Sequence, residues 1–223
     1  MDAKLIVMLT HHDVTVDHAF DLFESCKDLP IKNWGFKNVG MSEKEREQLA
    51  LAMRAANKEV YIEDVLNEEE DVLKMAMFAV KNGIGNIFAR YYPSVHEYIK
   101  GKGVRYYACS TKSSGIPVML RGSVDEIIEQ LQGYMKKGID GVCIGAYRHE
   151  TDPHGLLKAL AENIDGKVII AGSIDSQERI REVNALGCYG FTMGSAFFDK
   201  KYAPEGTFRE NLIALLCKLK NLE

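Results

Sequence analysis

Lys37 and Glu63 are the first residues that suggest chemistry, because each ends a short apolar run. Side chains alternate in a strand, so if Trp34 and Phe36 pack against helices, Lys37 points to the other side. The same reasoning turns Glu63 inward from the next run along the chain. A buried ammonium and a buried carboxylate are each costly alone, so we expect them to pair. Such a pair is either an acid and base for catalysis or a structural ion pair.

A second polar group, Thr10-His11-His12-Asp13, follows the first apolar run. Histidine titrates near neutral pH, and an aspartate can fix the tautomer of a neighbouring histidine. His11 and Asp13 are therefore candidate acid–base groups. The alternative is an exposed loop in which Asp13 caps the next helix.

Several cations follow other apolar runs and suit an anionic substrate. Arg90 lies within the apolar stretch Phe88-Ala89-Arg90, where it can stabilise developing negative charge. Lys112 flanks an irregular segment and Arg148 follows the sixth run, so both are candidate substrate-loop residues. Arginine suits carboxylate or phosphate through its forked guanidinium. Lys112 and Arg148 can equally be solvated surface charges.

Two Gly-Ser pairs stand at the ends of the last two apolar runs: Gly172-Ser173 directly after the seventh and Gly194-Ser195 at the end of the eighth. Small residues let the backbone approach an anion, and the exposed N–H groups at a following helix start can bind it. The serine hydroxyls add further donors. These four residues are candidate phosphate ligands, and the alternative is a pair of tight turns between strand and helix.

Eight short apolar runs, rich in β-branched and aromatic residues, must position these groups. The runs are Leu5–Leu9, Trp34–Lys37, Val60–Glu63, Asn86–Tyr91, Arg105–Cys109, Gly141–Tyr147, Lys167–Ala171 and Gly190–Ser195. Amphipathic segments with helical spacing separate them, which predicts alternating strands and helices with a parallel sheet. Eight such units predict an α/β protein with a single (β/α)8 TIM barrel domain over residues 1–223. An open doubly wound sheet is the alternative.

Helix starts and one long loop are also marked in the sequence. Four segments fit the capping-box pattern: Ser42/Glu45, Asn67/Glu70, Ser94/Glu97 and Ser123/Glu126. The irregular segment Ser110–Gly122 follows the fifth run, on the face where a barrel has its active site. It is either a lid or a surface hairpin without function.

The paired stretches Ala171-Gly172-Ser173-Ile174 and Met193-Gly194-Ser195-Ala196 resemble the phosphate grip of the ribulose-phosphate-binding barrels. That superfamily includes phosphosugar epimerases, isomerases of histidine and tryptophan synthesis, and orotidine-phosphate decarboxylase. The motif covers the last quarter of the chain, and the strand count extends the likeness to the whole chain at the level of fold. The resemblance implies phosphate binding at Gly172, Ser173, Gly194 and Ser195.

Three functions are open to a barrel with these residues. The favoured one is an isomerase or epimerase, independent of metal, that abstracts a proton next to the carbonyl of a small phosphorylated sugar-like metabolite. The second is an aldolase or lyase that forms a Schiff base on a lysine. The sixth and fourth runs, where the familiar barrel aldolases carry that lysine, contain none here. The third is a non-catalytic barrel that binds a phosphorylated metabolite for regulation.

Composition limits the partners. The 28 Lys and Arg against 32 Asp and Glu give a net charge of −4, which argues against nucleic acid as a partner. No apolar run is long enough to predict a membrane span. The five cysteines contain no C-x-x-C pair, so we expect reduced thiols, a cytoplasmic protein and neither metal nor other cofactor. The amphipathic segment Phe208–Leu222 is expected to be the last barrel helix, with a possible homodimer contact.

Overall fold

A computed structural model describes residues 3–114 and 118–220, and its centre is a closed barrel of eight parallel strands. The strands are β1 (Lys4–Met8), β2 (Asn33–Lys37), β3 (Glu59–Glu63), β4 (Asn86–Arg90), β5 (Arg105–Cys109), β6 (Gly141–Ile144), β7 (Lys167–Ile170) and β8 (Gly190–Met193). Each strand pairs with its neighbours in the sequence, and β1 closes the barrel by pairing with both β2 and β8. The predicted (β/α)8 barrel is confirmed, and the open sheet is excluded.

Helices surround the barrel. They are α1 (Ala19–Cys26), α2 (Glu43–Ala55), α3 (Glu69–Asn82), α4 (Pro93–Ile99), α5 (Val124–Met135), α6 (Pro153–Asn163), α7 (Gln177–Ala185), α8 (Ser195–Phe198) and α9 (Phe208–Lys220). Within the part of the chain that the structure describes, no helix is both long and apolar enough to cross a membrane.

The alternation of side chains along the strands produces two apolar layers. Trp34 and Phe36 of β2 belong to the large outer layer between strands and helices, as their spacing predicts. A smaller cluster fills the barrel interior, where Tyr61, Phe88 and Tyr107 are its largest members. The rings of Tyr61 and Phe88 lie 5.4 Å apart, and those of Phe88 and Tyr107 lie 5.6 Å apart. These aromatic rings occupy the interior of the barrel. The ionisable residues Lys37 and Glu63 stand at the last positions of β2 and β3, at the rim.

Two of the four predicted capping boxes form. Ser42 and Ser123 each accept a hydrogen bond from the third helical N–H, and the glutamate at that position bonds back. The other two predictions are wrong. Asn67 has a left-handed backbone (φ +68°), and α3 begins two residues later at Glu69. Ser94 lies inside α4, because Pro93 occupies the first turn of that helix.

Two predicted strands end two or more residues early. The sixth stops at Ile144, because the short 3-10 helix Ala146–Arg148 turns the chain away. The eighth stops at Met193, and Ser195 begins α8 instead of ending the strand. Both early ends move chain into the loops above the barrel, so Arg148 and Ser195 lie at its rim.

Two small antiparallel hairpins stand on the same rim. One pairs Thr10–His11 with Val14–Thr15, directly after β1. The other pairs Ser113–Ser114 with Met119–Leu120, so the predicted lid segment is a hairpin at its described positions. Residues 115–117 of that segment lie outside the described residues, as does the end of the predicted last helix at Leu222.

Candidate active site

A cavity of about 330 Å³ opens at the carboxyl ends of the barrel strands. Residues from the ends of β1, β2, β3, β5, β6, β7 and β8 line it, and Val118 and Leu120 of the second hairpin close one side. In (β/α)8 barrels this is the face that carries the active site. The cavity is therefore the candidate active site of this chain.

Lys37 is the buried cation of the cavity. Its side chain leaves the last position of β2 toward the interior, and the residue is only 5% exposed. The Nζ atom lies 2.8 Å from Asp13 Oδ1 and 3.5 Å from Glu63 Oε1. Burial opposes the charge on the ammonium, but the carboxylates of Glu63 and Asp13 outweigh it and raise the pKa of Lys37. The predicted ion pair with Glu63 is confirmed, and the ammonium form is the stable one.

Asp13 reaches Lys37 from the tip of the first hairpin. Both His12 and Asp13 have positive φ (49° and 64°), as the two central residues of a tight hairpin turn require. Asp13 Oδ2 accepts a hydrogen bond of 3.0 Å from Arg148 Nη1. Burial opposes ionisation of this carboxyl, but Lys37 and Arg148 together lower its pKa. Asp13 therefore joins two cations from opposite sides of the barrel and stays ionised.

Arg148 links this charged cluster to the loop after β7. Its Nε atom lies 3.2 Å from Ser173 Oγ, and its guanidinium lies against Gly172. Gly172 has φ +70°, and a Cβ atom there would come within 2.6 Å of Arg148 Nε. Glycine adopts this left-handed turn without strain and leaves room for the guanidinium. Arg179 of α7 reaches the same loop with its side chain and donates to the Ser173 carbonyl and to Asp175.

The loop after β8 completes this side of the cavity. A Cβ atom on Gly194 would lie 2.6 Å from the Thr10 carbonyl oxygen, so the loop packs directly on the first hairpin. Ser195 opens α8, and the first N–H groups of a helix have no acceptor within it. Gly172, Ser173, Gly194 and Ser195 all line the cavity, and so do Arg148 and Arg179. The arrangement presents hydroxyl, amide and guanidinium donors to one region.

Three predicted site residues are absent from the described cavity lining. His11 Nε2 lies 3.0 Å from Asp199 Oδ1, and its ring stacks on those of His12 and Phe198. Arg90 donates to the Ser113 carbonyl, which holds the second hairpin against β4. Lys112 lies 3.5 Å from Glu126 on α5. Lys37, Glu63, Asp13 and Arg148 do line the cavity, so the structure brings four of these seven candidates together.

Some cavity residues were missed by the sequence reasoning. Asp64 is 5% exposed and accepts hydrogen bonds from Asn38 and from the Asn67 amide. Burial raises the pKa of this carboxyl. Asp64 comes directly after Glu63, and the alternation of side chains along a strand turns such a neighbour away from the interior, so the pattern that points to Glu63 does not point to Asp64. Arg179 carried no signal, because it lies three residues into a helix and meets Ser173 only in the fold.

No group of three or more His, Cys, Asp or Glu residues within 3–114 and 118–220 is arranged to hold a metal ion. The charged side chains that line the cavity can transfer protons and bind an anion. Lys37 is the available acid, the carboxylates are the available bases, and Arg148 and Arg179 are the cations beside the Gly-Ser loops.

No protein-family model matches the chain, and no curated protein matches it. The chain is similar to several solved structures. A mutant tryptophan synthase α-subunit from Pyrococcus furiosus aligns with a TM-score of 0.69 and 14% identity, over 96% of this chain and 98% of that one. A native KDPGal structure aligns with a TM-score of 0.66 and 15% identity, over 99% and 98%. The N-acetylmannosamine-6-phosphate 2-epimerase from Clostridium perfringens aligns with a TM-score of 0.61 and 15% identity, over 97% and 93%. At this identity the likeness shows a shared fold.

Proposed function

We propose that this protein is an isomerase or epimerase of a small phosphorylated sugar-like metabolite. The observation that carries the proposal is a buried ammonium, Lys37, held between the carboxylates of Asp13 and Glu63 in the cavity wall. Proton abstraction next to a carbonyl needs a base for the carbon-bound proton and a cation for the oxygen that becomes negative. Lys37 and its two carboxylates supply both.

Glu63 is the better base of the two carboxylates. Asp13 is in contact with two cations, at 2.8 Å from Lys37 and 3.0 Å from Arg148, and its lowered pKa makes it a weak proton acceptor. Among the described residues, Glu63 forms an ion pair with Lys37 and with no second cation, at the longer distance of 3.5 Å. In the proposed step the Glu63 carboxylate takes the proton from carbon, the electrons of that C–H bond form a carbon–carbon double bond, and the π electrons of the carbonyl move to its oxygen. Lys37 Nζ–H stabilises the resulting enolate. Delivery of a proton to the opposite face of the same carbon gives the epimer. If a proton instead moves between the two oxygens of an enediol, protonation of the former carbonyl carbon gives the isomer.

The substrate phosphate is proposed to bind at the Gly-Ser loops. Gly172, Ser173, Gly194 and Ser195 line one region of the cavity, and the loops after β7 and β8 are the usual phosphate site of this fold. Arg148 and Arg179 place guanidinium groups on the Ser173 loop. Because Arg148 also contacts Asp13, the phosphate end and the acid–base end of the cavity are adjacent. The proposed substrate, a molecule of a few carbon atoms, would span these two ends.

The Schiff-base alternative is less well supported by the same cluster. A lysine must lose its proton before it attacks a carbonyl, and the two carboxylates raise the pKa of Lys37. Reduction with borohydride in the presence of a ketose phosphate separates the two chemistries. A covalent adduct on Lys37, located by peptide mass, would establish Schiff-base chemistry of the aldolase type.

The test follows solvent exchange on carbon. Purified protein is incubated in D2O with a panel of aldose and ketose phosphates and with their unphosphorylated forms, and proton NMR reports deuterium next to the carbonyl. We expect exchange and interconversion with a phosphorylated member, lost in Lys37→Met and kept in Lys74→Met. Lys74 is an exposed lysine paired with Glu70 on α3, and it is absent from the described cavity lining. Exchange at the same rate in Lys37→Met would refute the acid–base assignment.

The phosphate end is tested separately by thermal shift. A ligand at 100 times its Kd adds about 2.7 kcal/mol, which raises the midpoint of a chain this long by about 5 to 10 °C. We expect that rise only with phosphorylated compounds, and we expect Arg148→Gln to reduce it. Arg121→Gln is the matched control, because Arg121 is an exposed arginine paired with Glu150. Binding without any carbon exchange would instead favour a regulatory barrel.

A further inference from the structure

Two thiols lie side by side in the cavity wall. β5 and β6 pair in parallel, with Tyr107 opposite Gly141 and Ala108 opposite Val142. One step further along this register, Cys109 lies beside Cys143. Both belong to the barrel interior: Cys143 is part of the inner cluster, and Cys109 packs against it. Neighbouring strands are about 4.8 Å apart, which falls within the roughly 4.4–6.8 Å between Cα atoms that a disulfide spans.

The two cysteines differ in access. Cys143 is 3% exposed, whereas Cys109 is partly exposed, and both line the cavity. Burial is the main cause that raises the pKa of Cys143, and the neighbouring Cys109 thiol raises it further. Cys143 is therefore a poor first nucleophile, and a small reagent that enters the cavity meets Cys109 first. The acid–base mechanism above uses neither thiol.

We propose that Cys109 and Cys143 form an oxidisable dithiol site, which hydrogen peroxide converts to a disulfide and a small thiol reduces again. The sulfur of Cys109 attacks one peroxide oxygen, the O–O bond breaks, and water leaves, so Cys109 becomes a sulfenic acid. The sulfur of Cys143 then attacks the Cys109 sulfur, and the hydroxyl group leaves with the Cys143 proton as a second water. One peroxide thus oxidises two thiols and is reduced to two waters.

The geometry favours a reversible bond. Side chains at directly opposed positions of two parallel strands point the same way, so their Cβ atoms are separated by roughly the interstrand distance of about 4.8 Å. A relaxed disulfide brings these atoms to roughly 3.5–4.5 Å, so closing the bridge draws β5 and β6 together. Strained disulfides are the more easily reduced ones. The bridge also changes the wall next to Lys37 and Glu63, both of which act electrostatically on Cys143.

The experiment detects the bond itself and needs no substrate, so it is independent of the proposed isomerase activity. Reduced protein is freed of reductant, treated with hydrogen peroxide, alkylated and digested with trypsin without reduction. Cys109 and Cys143 fall in the tryptic peptides 106–112 and 138–148. We expect these two peptides to be linked, with a mass lower by two hydrogen atoms than their sum, and dithiothreitol to separate them.

Variants identify the order of steps. Cys143→Ser, or Cys143→Ala if the serine variant does not fold, should leave a sulfenic acid on Cys109 that dimedone traps. Cys109→Ser should remove the linked peptide, whereas Cys217→Ser should keep it, because Cys217 is the exposed cysteine on α9. Three outcomes would overturn the proposal: unmodified Cys109, over-oxidation of Cys109 with no link, or intermolecular dimers through Cys217 as the sole product.

Discussion

Replacing Lys37 by methionine is the most informative perturbation, because it tests the charged cluster without any assumption about substrate. The ammonium is nearly inaccessible and contacts two carboxylates, at 2.8 Å and 3.5 Å. With an effective dielectric constant of about 20, these distances correspond to gross attractions of about 6 and about 5 kcal/mol. Most of this is offset, since removing an ammonium and two carboxylates from water costs several kcal/mol for each ion.

The expected net loss in Lys37→Met is about 3 kcal/mol of unfolding free energy, the lower end of the range for a broken buried pair. The lower end applies because Asp13 keeps its contact with Arg148, so only Glu63 is left without a cation. For a chain of this length the loss corresponds to a midpoint about 6 to 12 °C lower. Lys74→Met, which removes an exposed lysine, should leave the midpoint unchanged.

A second substitution, at Glu63, tests whether the charges of Lys37 and Glu63 act together. Glu63→Gln alone should cost about 1.5 kcal/mol, since Lys37 keeps Asp13. In the Lys37→Met background the same change removes the uncompensated carboxylate, so the double variant should be about 1 kcal/mol more stable than Lys37→Met. Urea unfolding, followed by circular dichroism at pH 7, measures the stability of the wild type, of Lys37→Met, of Glu63→Gln and of the double variant. If the two losses simply add, the charges do not act as a cluster and the reasoning fails.

Three further predictions concern other parts of the site and its scaffold. Gly194→Ala should lower stability by about 2 kcal/mol, because its Cβ would meet the Thr10 carbonyl oxygen at 2.6 Å; a midpoint equal to that of the wild type would show that the loop can move away. Asp13 has a lowered folded pKa, so it adds stability above its unfolded pKa near 3.9 and loses it as pH falls through the folded value. The stability difference between wild type and Asp13→Asn, measured by urea unfolding, should thus be largest above pH 5 and shrink toward pH 3. Ser123→Ala removes a capping box and should cost about 1 kcal/mol without changing any phosphate-dependent thermal shift.

The elements of this fold could be predicted because they depend on local periodicity. The apolar runs of β1 to β8 and the helical spacing between them set the order of strands and helices, and their number, eight, favours a barrel over an open sheet. Alternation along β2 also placed Lys37 inside and Trp34 outside. The ends of the elements were harder to predict from local sequence. Two predicted capping boxes do not form, because Pro93 begins α4 and Asn67 has a left-handed backbone.

The side-chain contacts that cross the barrel could not be predicted from the sequence, because they form only when the barrel closes. Asp13 and Arg148 are 135 residues apart in sequence, and no periodicity relates them. Their contact depends on a turn that aims Asp13 over the rim and on an early end of β6 that lifts Arg148 toward it. The neighbouring thiols of Cys109 and Cys143 depend in the same way on the register of two strands. Sequence spacing determines which face of a strand a residue occupies, whereas the stagger of the closed sheet determines which residue it meets there.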